Sequence, residues 1–134
     1  MSSLRQFVWD RAAGCCEYCR FPQTLTILPH ELDHIVAQQH RGPTIESNLC
    51  LACAHCNAHK GPNLAGMDPH TNLMVRLFNP RTDRWPDHFQ WRGAVLEGLS
   101  DIGRATIVVL AINDPERILT RRLAIEAELF PPTH

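Results

Sequence analysis

The feature that most constrains this chain is a pair of tight cysteine turns, Cys16-Glu-Tyr-Cys19 and Cys53-Ala-His-Cys56. A two-residue spacer lets both sulfurs of one turn face the same ion, and four thiolates from two such turns match tetrahedral zinc. The competing reading, four unrelated buried cysteines, rests on the ordinary tendency of free Cys to be buried. It leaves the repeated spacing unexplained. One structural Zn²⁺ would tie the first helix to the turn before a second, and four protein ligands leave no open position for chemistry. Cys15 gives no CxxC spacing with Cys19, and Cys50 is expected to pack as a small apolar side chain. A chain of 134 residues is most simply one domain, 1–134, near the size where a structural metal helps the core.

Charge narrows the partners. A formal net charge of −1 argues against holding nucleic acid by bulk electrostatics alone. One local exception is the stretch 71–92, where Arg76, Arg81, Arg84 and Arg92 interleave with Phe78, Trp85, Phe89 and Trp91. Arg76, Arg81, Arg84 and Trp85 can be read as a nucleic-acid-facing ribbon; alternatively the aromatics are core and the arginines a solvated rim. Phe and Trp spaced through an amphipathic region favour packing for the aromatics. The longest apolar run, "TIVVLAI" at 106–112, is too short to span a bilayer, so no membrane association is expected. "MSSLRQFVWDRAAG" lacks the apolar centre of a secretion signal. The expected location is the cytoplasm, where six cysteines read as metal ligands rather than disulfides.

The chain reads as α+β. Ser2 or Ser3 caps a helix over "LRQFVWDRAA", with Leu4, Phe7 and Val8 on one face and Gly14 as its stop. "TLTIL" and "ELDHIV" read as extended chain broken at Pro29. "NLCLA" is a short strand and "AHCNAHK" a short helix ended by Gly61-Pro62. The unit 24–60 is thus strand, strand, helix. Residues 1–62 form a core and 63–134 an extension, in which "LMVRLF" and "HFQWRGAVLEG" read as strands around the turn "NPRTD". "DIGRATIVVLAI" is ambiguous between helix and strand, and "DPERILTRRLAIEAELF" is a helix with Asp114 as its N-cap and Pro131-Pro132 as its stop.

A structural zinc site has no use for Asp33-His34, Asn48, Asn57 or Lys60. With "DHI" at 33–35, "NL" at 48–49 and "CAHCNAHK" at 53–60, the stretch from about 15 to 61 resembles the HNH endonuclease family. The resemblance implies a ββα-metal core with a zinc knuckle, and a metal-dependent hydrolysis of DNA phosphodiester bonds by nicking or without sequence preference. It implies a small bacterial protein. It also implies that Asp33 and Asn57 ligate a catalytic divalent ion such as Mg²⁺, that Asn48 holds the loop between the strands and orients His34, and that His34 is the base. RNA is not excluded as a substrate, and oligomeric state is not legible.

The residues themselves support parts of this. Carboxylate and amide oxygens suit a hard cation. An imidazole ordinarily titrates at about pH 6.5, which suits His34 to accept a proton from water. Adjacent strand residues point to opposite sides, so a bend is expected to bring Asp33 and His34 into one site. Lys60, one turn after Asn57, is placed to contact a phosphate. His59 is assigned a weaker contact of that kind, beside Arg81 and Arg84. Each has a bland alternative: a surface pair for Asp33-His34, a turn for Asn48, a helix cap for Asn57, a solvated charge for Lys60. His30 is expected to be a satisfied histidine, His40 a loop residue that faces substrate, and His55 an exposed member of the knuckle. The rival function is a zinc-ribbon-like module that binds nucleic acid without cutting it.

Overall fold

A computed structural model describes residues 3–131; Ser2 as a helix cap and Pro132 as a helix stop lie outside them. The architecture is mixed α/β. Helix α1 (Ser3–Ala12) leads into the first cysteine turn, then come strands β1 (Glu31–His34) and β2 (Leu49–Ala52) and helix α2 (Ala54–Lys60). β1 and β2 pair antiparallel, with Asp33 opposite Cys50 and His34 opposite Leu49.

The pleat sends alternate residues of this ribbon to different neighbours. Leu49 and Leu51 pack with Val8 and the partly buried Leu4, Trp9 and Leu32, which fixes α1 on one face. Cys50 and Ala52 belong to the larger cluster on the other face, with the cysteines of the two turns, Ile35 and Phe78. Arg11 ties α1 to the start of β2 through the carbonyls of Glu46 and Leu49. Its guanidinium lies over Phe7, which is exposed rather than part of the expected apolar face. The first cysteine turn covers the free edge of β2: Glu17 donates its N–H to the Leu51 carbonyl and accepts the Leu51 N–H on its carboxylate.

Two expectations for local structure are corrected. Residues 24–28 form no strand. Gln23–Leu25 is a 3-10 turn, and the Thr26 hydroxyl donates to the Gln23 and Leu28 carbonyls, satisfying backbone groups a strand would have needed. The strand-strand-helix order survives as β1, β2 and α2. In the extension, "LMVRLF" does not pair with "HFQWRGAVLEG". Strand β4 (Met74–Arg76) pairs with β3 (Ala65–Met67), and β5 (Phe89–Arg92) with β6 (Val95–Gly98). The cause lies in "NPRTD", where Asp83 accepts the Asn79 N–H and a two-pronged bond from Arg76. The chain is thereby turned into the short helix α3 (Trp85–His88), and each strand pairs with its nearer neighbour.

The ambiguous segment is helix α4 (Asp101–Val109), because Ser100 caps it by accepting the Gly103 N–H at 3.0 Å. The last helix, α5 (Pro115–Glu126), stops before the expected Phe130, with the Leu129 N–H returning to the Ala124 carbonyl. Phe78 and Phe89 are buried and Trp85 and Trp91 pack against the same cluster, so the aromatics of 71–92 serve packing. No described helix is long and apolar enough to cross a membrane.

Candidate active site and metal centres

The four cysteines of the two turns come together. Cys16, Cys19, Cys53 and Cys56 are buried, with their sulfurs all within 4.8 Å of one another. The Cys19–Cys53 sulfur separation of 3.8 Å is that of two corners of a tetrahedron with bonds of about 2.3 Å, the zinc–thiolate length. In each turn the fourth residue's N–H points at the first sulfur, Cys19 to Cys16 at 3.5 Å and Cys56 to Cys53 at 3.4 Å. Hydrogen bonds from the Cys16, Cys19 and Cys56 thiols pull the Cys53 pKa far below its ordinary value, while burial pushes that of Cys16 well up. Four thiols in one dry space cannot all ionise without a cation, and a zinc ion would supply it. The donor set, the spacing and the closure fit a structural zinc.

Next to this cluster lies a buried polar group that the sequence reading had in pieces. Asp33 is 4% exposed. Its carboxylate accepts the Tyr18 hydroxyl at 2.8 Å, lies 3.4 Å from the Cys50 thiol, and faces the Lys60 ammonium at 3.3 Å. Tyr18 sits inside the first cysteine turn, so that turn aims the donor that orients Asp33. Burial, reinforced by the nearby Cys50 and Asp33, pushes the Tyr18 hydroxyl well up and keeps it a donor. Cys50, expected to be merely apolar, is part of this network, and burial pushes its thiol well up.

Lys60 corrects another expectation. Its ammonium is buried rather than free for a phosphate: besides Asp33 it donates to the carbonyls of His34 at 3.2 Å and Ile35 at 3.3 Å. It therefore fixes the strand end that carries His34. The bend expected between Asp33 and His34 falls after them, at Ile35–Val36. Asp33 turns inward and His34, half-exposed, makes its bond elsewhere: Nε2 lies 2.9 Å from the Thr44 hydroxyl. Among the described residues no hydrogen bond joins His34 to Asp33 or Asn57.

Asn48 staples the loop between the strands. Its side chain accepts the Val36 N–H at 2.9 Å and donates to the Val36 and Pro43 carbonyls at 3.0 and 2.8 Å. Thr44 follows Pro43, so Asn48 reaches His34 through the loop rather than by direct contact. The crossing is tight: a Cβ on Gly42 would lie 1.7 Å from the Val36 carbonyl oxygen.

Asn57 donates to the Glu31 carboxylate at 2.7 Å. Glu31 and Asp33, two apart on β1, share one face, and they meet Asn57 and Lys60 of α2 as two rungs. Glu31, Tyr18 and Thr44 were missed by sequence reasoning. The i, i+2 placement of Glu31 with Asp33 was the one available signal, since it puts two carboxylates on one side of a strand.

The remaining candidates scatter. His59 is exposed, but its Nδ1 bonds the His55 carbonyl and it faces away from β1. Arg81 is not free for nucleic acid: it pairs with Glu17 and is largely buried. Arg84 is exposed at the start of α3, and Arg20, not Arg84, covers the Trp85 ring. His30 is fully buried with Nε2 on the Phe21 carbonyl, His40 is exposed in its loop, and His55 is half-buried against the Ala111 carbonyl rather than exposed.

Residues 16–63 match the model of the HNH endonuclease family. No curated protein and no solved structure matches the chain.

Proposed function

We propose that this chain, whose residues 16–63 match the HNH endonuclease family model, hydrolyses DNA phosphodiester bonds in a metal-dependent reaction, nicking one strand per encounter. The core is read as the ββα-metal arrangement formed by β1, β2 and α2, stabilised by zinc on Cys16, Cys19, Cys53 and Cys56. The observation that carries the reading is the pair of rungs Glu31–Asn57 and Asp33–Lys60 beside His34, an arrangement that a purely structural zinc turn does not require.

Asp33 and Asn57 would hold a divalent ion of the Mg²⁺ class, with Glu31 as a third oxygen donor. The residues fit such an ion: carboxylate and amide oxygens are its preferred ligands. The Asp33–Lys60 distances of 3.3 and 3.4 Å are also long for a charge-assisted bond, so the ammonium holds the carboxylate less closely than the Tyr18 hydroxyl does at 2.8 Å. Bound there, such an ion would supply the positive charge that phosphodiester hydrolysis needs. In the tautomer whose Nε2–H donates to the Thr44 hydroxyl, Nδ1 of His34 is the bare nitrogen and would accept the proton of the attacking water. Asn48 fixes the Pro43–Thr44 segment that holds this orientation, and Lys60 fixes the His34 carbonyl.

One observation favours the non-catalytic, zinc-ribbon-like alternative: Asp33 is buried and already paired. Incubating supercoiled plasmid with the protein in Mg²⁺, Mn²⁺ or EDTA separates the two. The proposal expects metal-dependent open circles and a loss of about 10²- to 10⁴-fold in the His34→Ala variant. Binding without nicking, or equal nicking by the variant, supports the alternative.

A further inference from the structure

Helix α2 has two working faces. Asn57 and Lys60 meet β1, whereas His55 and His59, one turn apart, face the turn between α4 and α5. There the two imidazoles and the Asp114 carboxylate bring one ligand atom each within 4.8 Å of one another. The rings are 4.2 Å apart between centroids and inclined by 34°.

Each ring has one nitrogen engaged by a backbone carbonyl. Nε2 of His55 lies 2.9 Å from the Ala111 carbonyl, and Nδ1 of His59 lies 2.9 Å from the His55 carbonyl. A carbonyl only accepts, so each of these nitrogens carries the proton. Nδ1 of His55 and Nε2 of His59 are left as bare lone pairs in the neutral rings. A backbone carbonyl on the non-ligating nitrogen is the usual support for a metal-binding histidine. Asp114 completes the set. It occupies the N-cap position of α5, where a carboxylate ordinarily accepts a helix N–H, yet its side chain makes no capping bond. The Ala111 carbonyl that receives His55 comes from a residue with φ of +50°, a conformation unfavourable for a side-chain-bearing residue.

We propose that His55, His59 and Asp114 form a second transition-metal site, taking Zn²⁺ or a similar borderline divalent ion, that fastens α2 to the α4–α5 turn. Two imidazoles and a carboxylate suit such an ion. Tetrahedral zinc needs ligand atoms about 3.3 Å apart, so binding would draw the three ligand atoms together from separations of up to 4.8 Å. The fourth position is left to water. The site is separate from the four-cysteine cluster, whose ligands are all used, and from the oxygen donors on the opposite face of the helix.

The test uses the full chain, dialysed to equilibrium against Zn²⁺ and against Co²⁺, with His59→Ala and Asp114→Asn beside it. The expected result is one Zn²⁺ fewer per chain in His59→Ala, with an unchanged cobalt–thiolate charge-transfer band proving that the cysteine site and the fold are intact. The thiolate-free visible cobalt bands of the wild type disappear in the same variant. Asp114→Asn, which keeps a residue able to cap the helix, weakens the second Co²⁺ by at least about tenfold. Equal zinc content and identical visible bands in wild type and His59→Ala would overturn the site. Unchanged cobalt affinity in Asp114→Asn would overturn the three-ligand assignment. Neither result bears on plasmid nicking, which tests the other face of α2.

Discussion

Two buried ion pairs, one in each half of the chain, are built differently. In the extension, Arg104 grips Asp68 with Nε and Nη2 on separate carboxylate oxygens, both at 2.9 Å. Thr71 and the His70 N–H add two further bonds at 3.0 Å. This fork holds the Asp68 carboxyl well below the usual carboxylate range. Near the cysteines, Lys60 faces Asp33 at 3.3 Å and divides its ammonium among that carboxylate and two carbonyls. An arginine fork matches a carboxylate in shape, whereas a lysine is a point charge whose place another cation can take. The first pair is a closed brace between α4 and the β3–β4 connection. The second is a buried carboxylate shared among a hydroxyl, a thiol and an ammonium, one residue before His34.

With zinc on the four cysteines as proposed, its removal has the largest expected effect, because metal-binding energy in such a site is folding energy, apparent values being about 10–16 kcal/mol in zinc-finger peptides. Cys56→Ser or a strong chelator should abolish the cooperative thermal transition seen by circular dichroism. An unchanged melt would mean that the cysteines pack without an ion.

Next comes Lys60→Met, which leaves Asp33 buried without its cation and should cost about 3–5 kcal/mol. Millimolar Mg²⁺ should recover part of that loss in Lys60→Met and none in Asp68→Asn. Equal recovery in both would erase the distinction between the pairs.

The Asp68 brace also predicts a pH dependence. Its folded-state acidity is depressed, so its contribution is present above the unfolded carboxylate value of about 3.9 and is lost as pH falls through the lower folded value. The gap in Tm between wild type and Asp68→Asn should be full at neutral pH and close progressively below about pH 4. A gap independent of pH would show that packing, not charge, is what the substitution removes.

Thr44→Val has the smallest effect. Loss of one hydrogen bond, about 0.5–1.5 kcal/mol, should slow single-turnover nicking by up to about tenfold and lower Tm by only a few degrees; an unchanged nicking rate would show that Thr44 does not position His34.

Sequence order and spacing made much of the core legible. The CxxC pair predicts which four sulfurs meet, and the strand-strand-helix order predicts β1, β2 and α2, because these follow from short-range geometry. The partners of the polar residues were less legible. Lys60 reads as a surface charge at a helix end, and only the approach of α2 to β1 buries it. Tyr18 hides inside a metal motif whose spacing accounts for the cysteines alone. Arg81 looks available until the first cysteine turn brings Glu17 to it. In the extension, alternation identified strands but not their partners, since β3 is a three-residue strand in a Gly/Pro/Asn-rich segment and "NPRTD" is folded by side-chain bonds to Asp83. Long-range placement decides these points, and period-2 patterning carries no such information.

The central claim is that the Asp33 pair belongs to the chemistry and the Asp68 pair to the scaffold. The most direct measurement is the Mn²⁺-dependent plasmid-nicking rate of zinc-loaded Asp33→Asn and Asp68→Asn, at a temperature where both are folded. The account predicts that Asp33→Asn loses nicking by at least about 10²-fold, whereas Asp68→Asn nicks at the wild-type rate despite its lower Tm. Wild-type nicking by Asp33→Asn would contradict it.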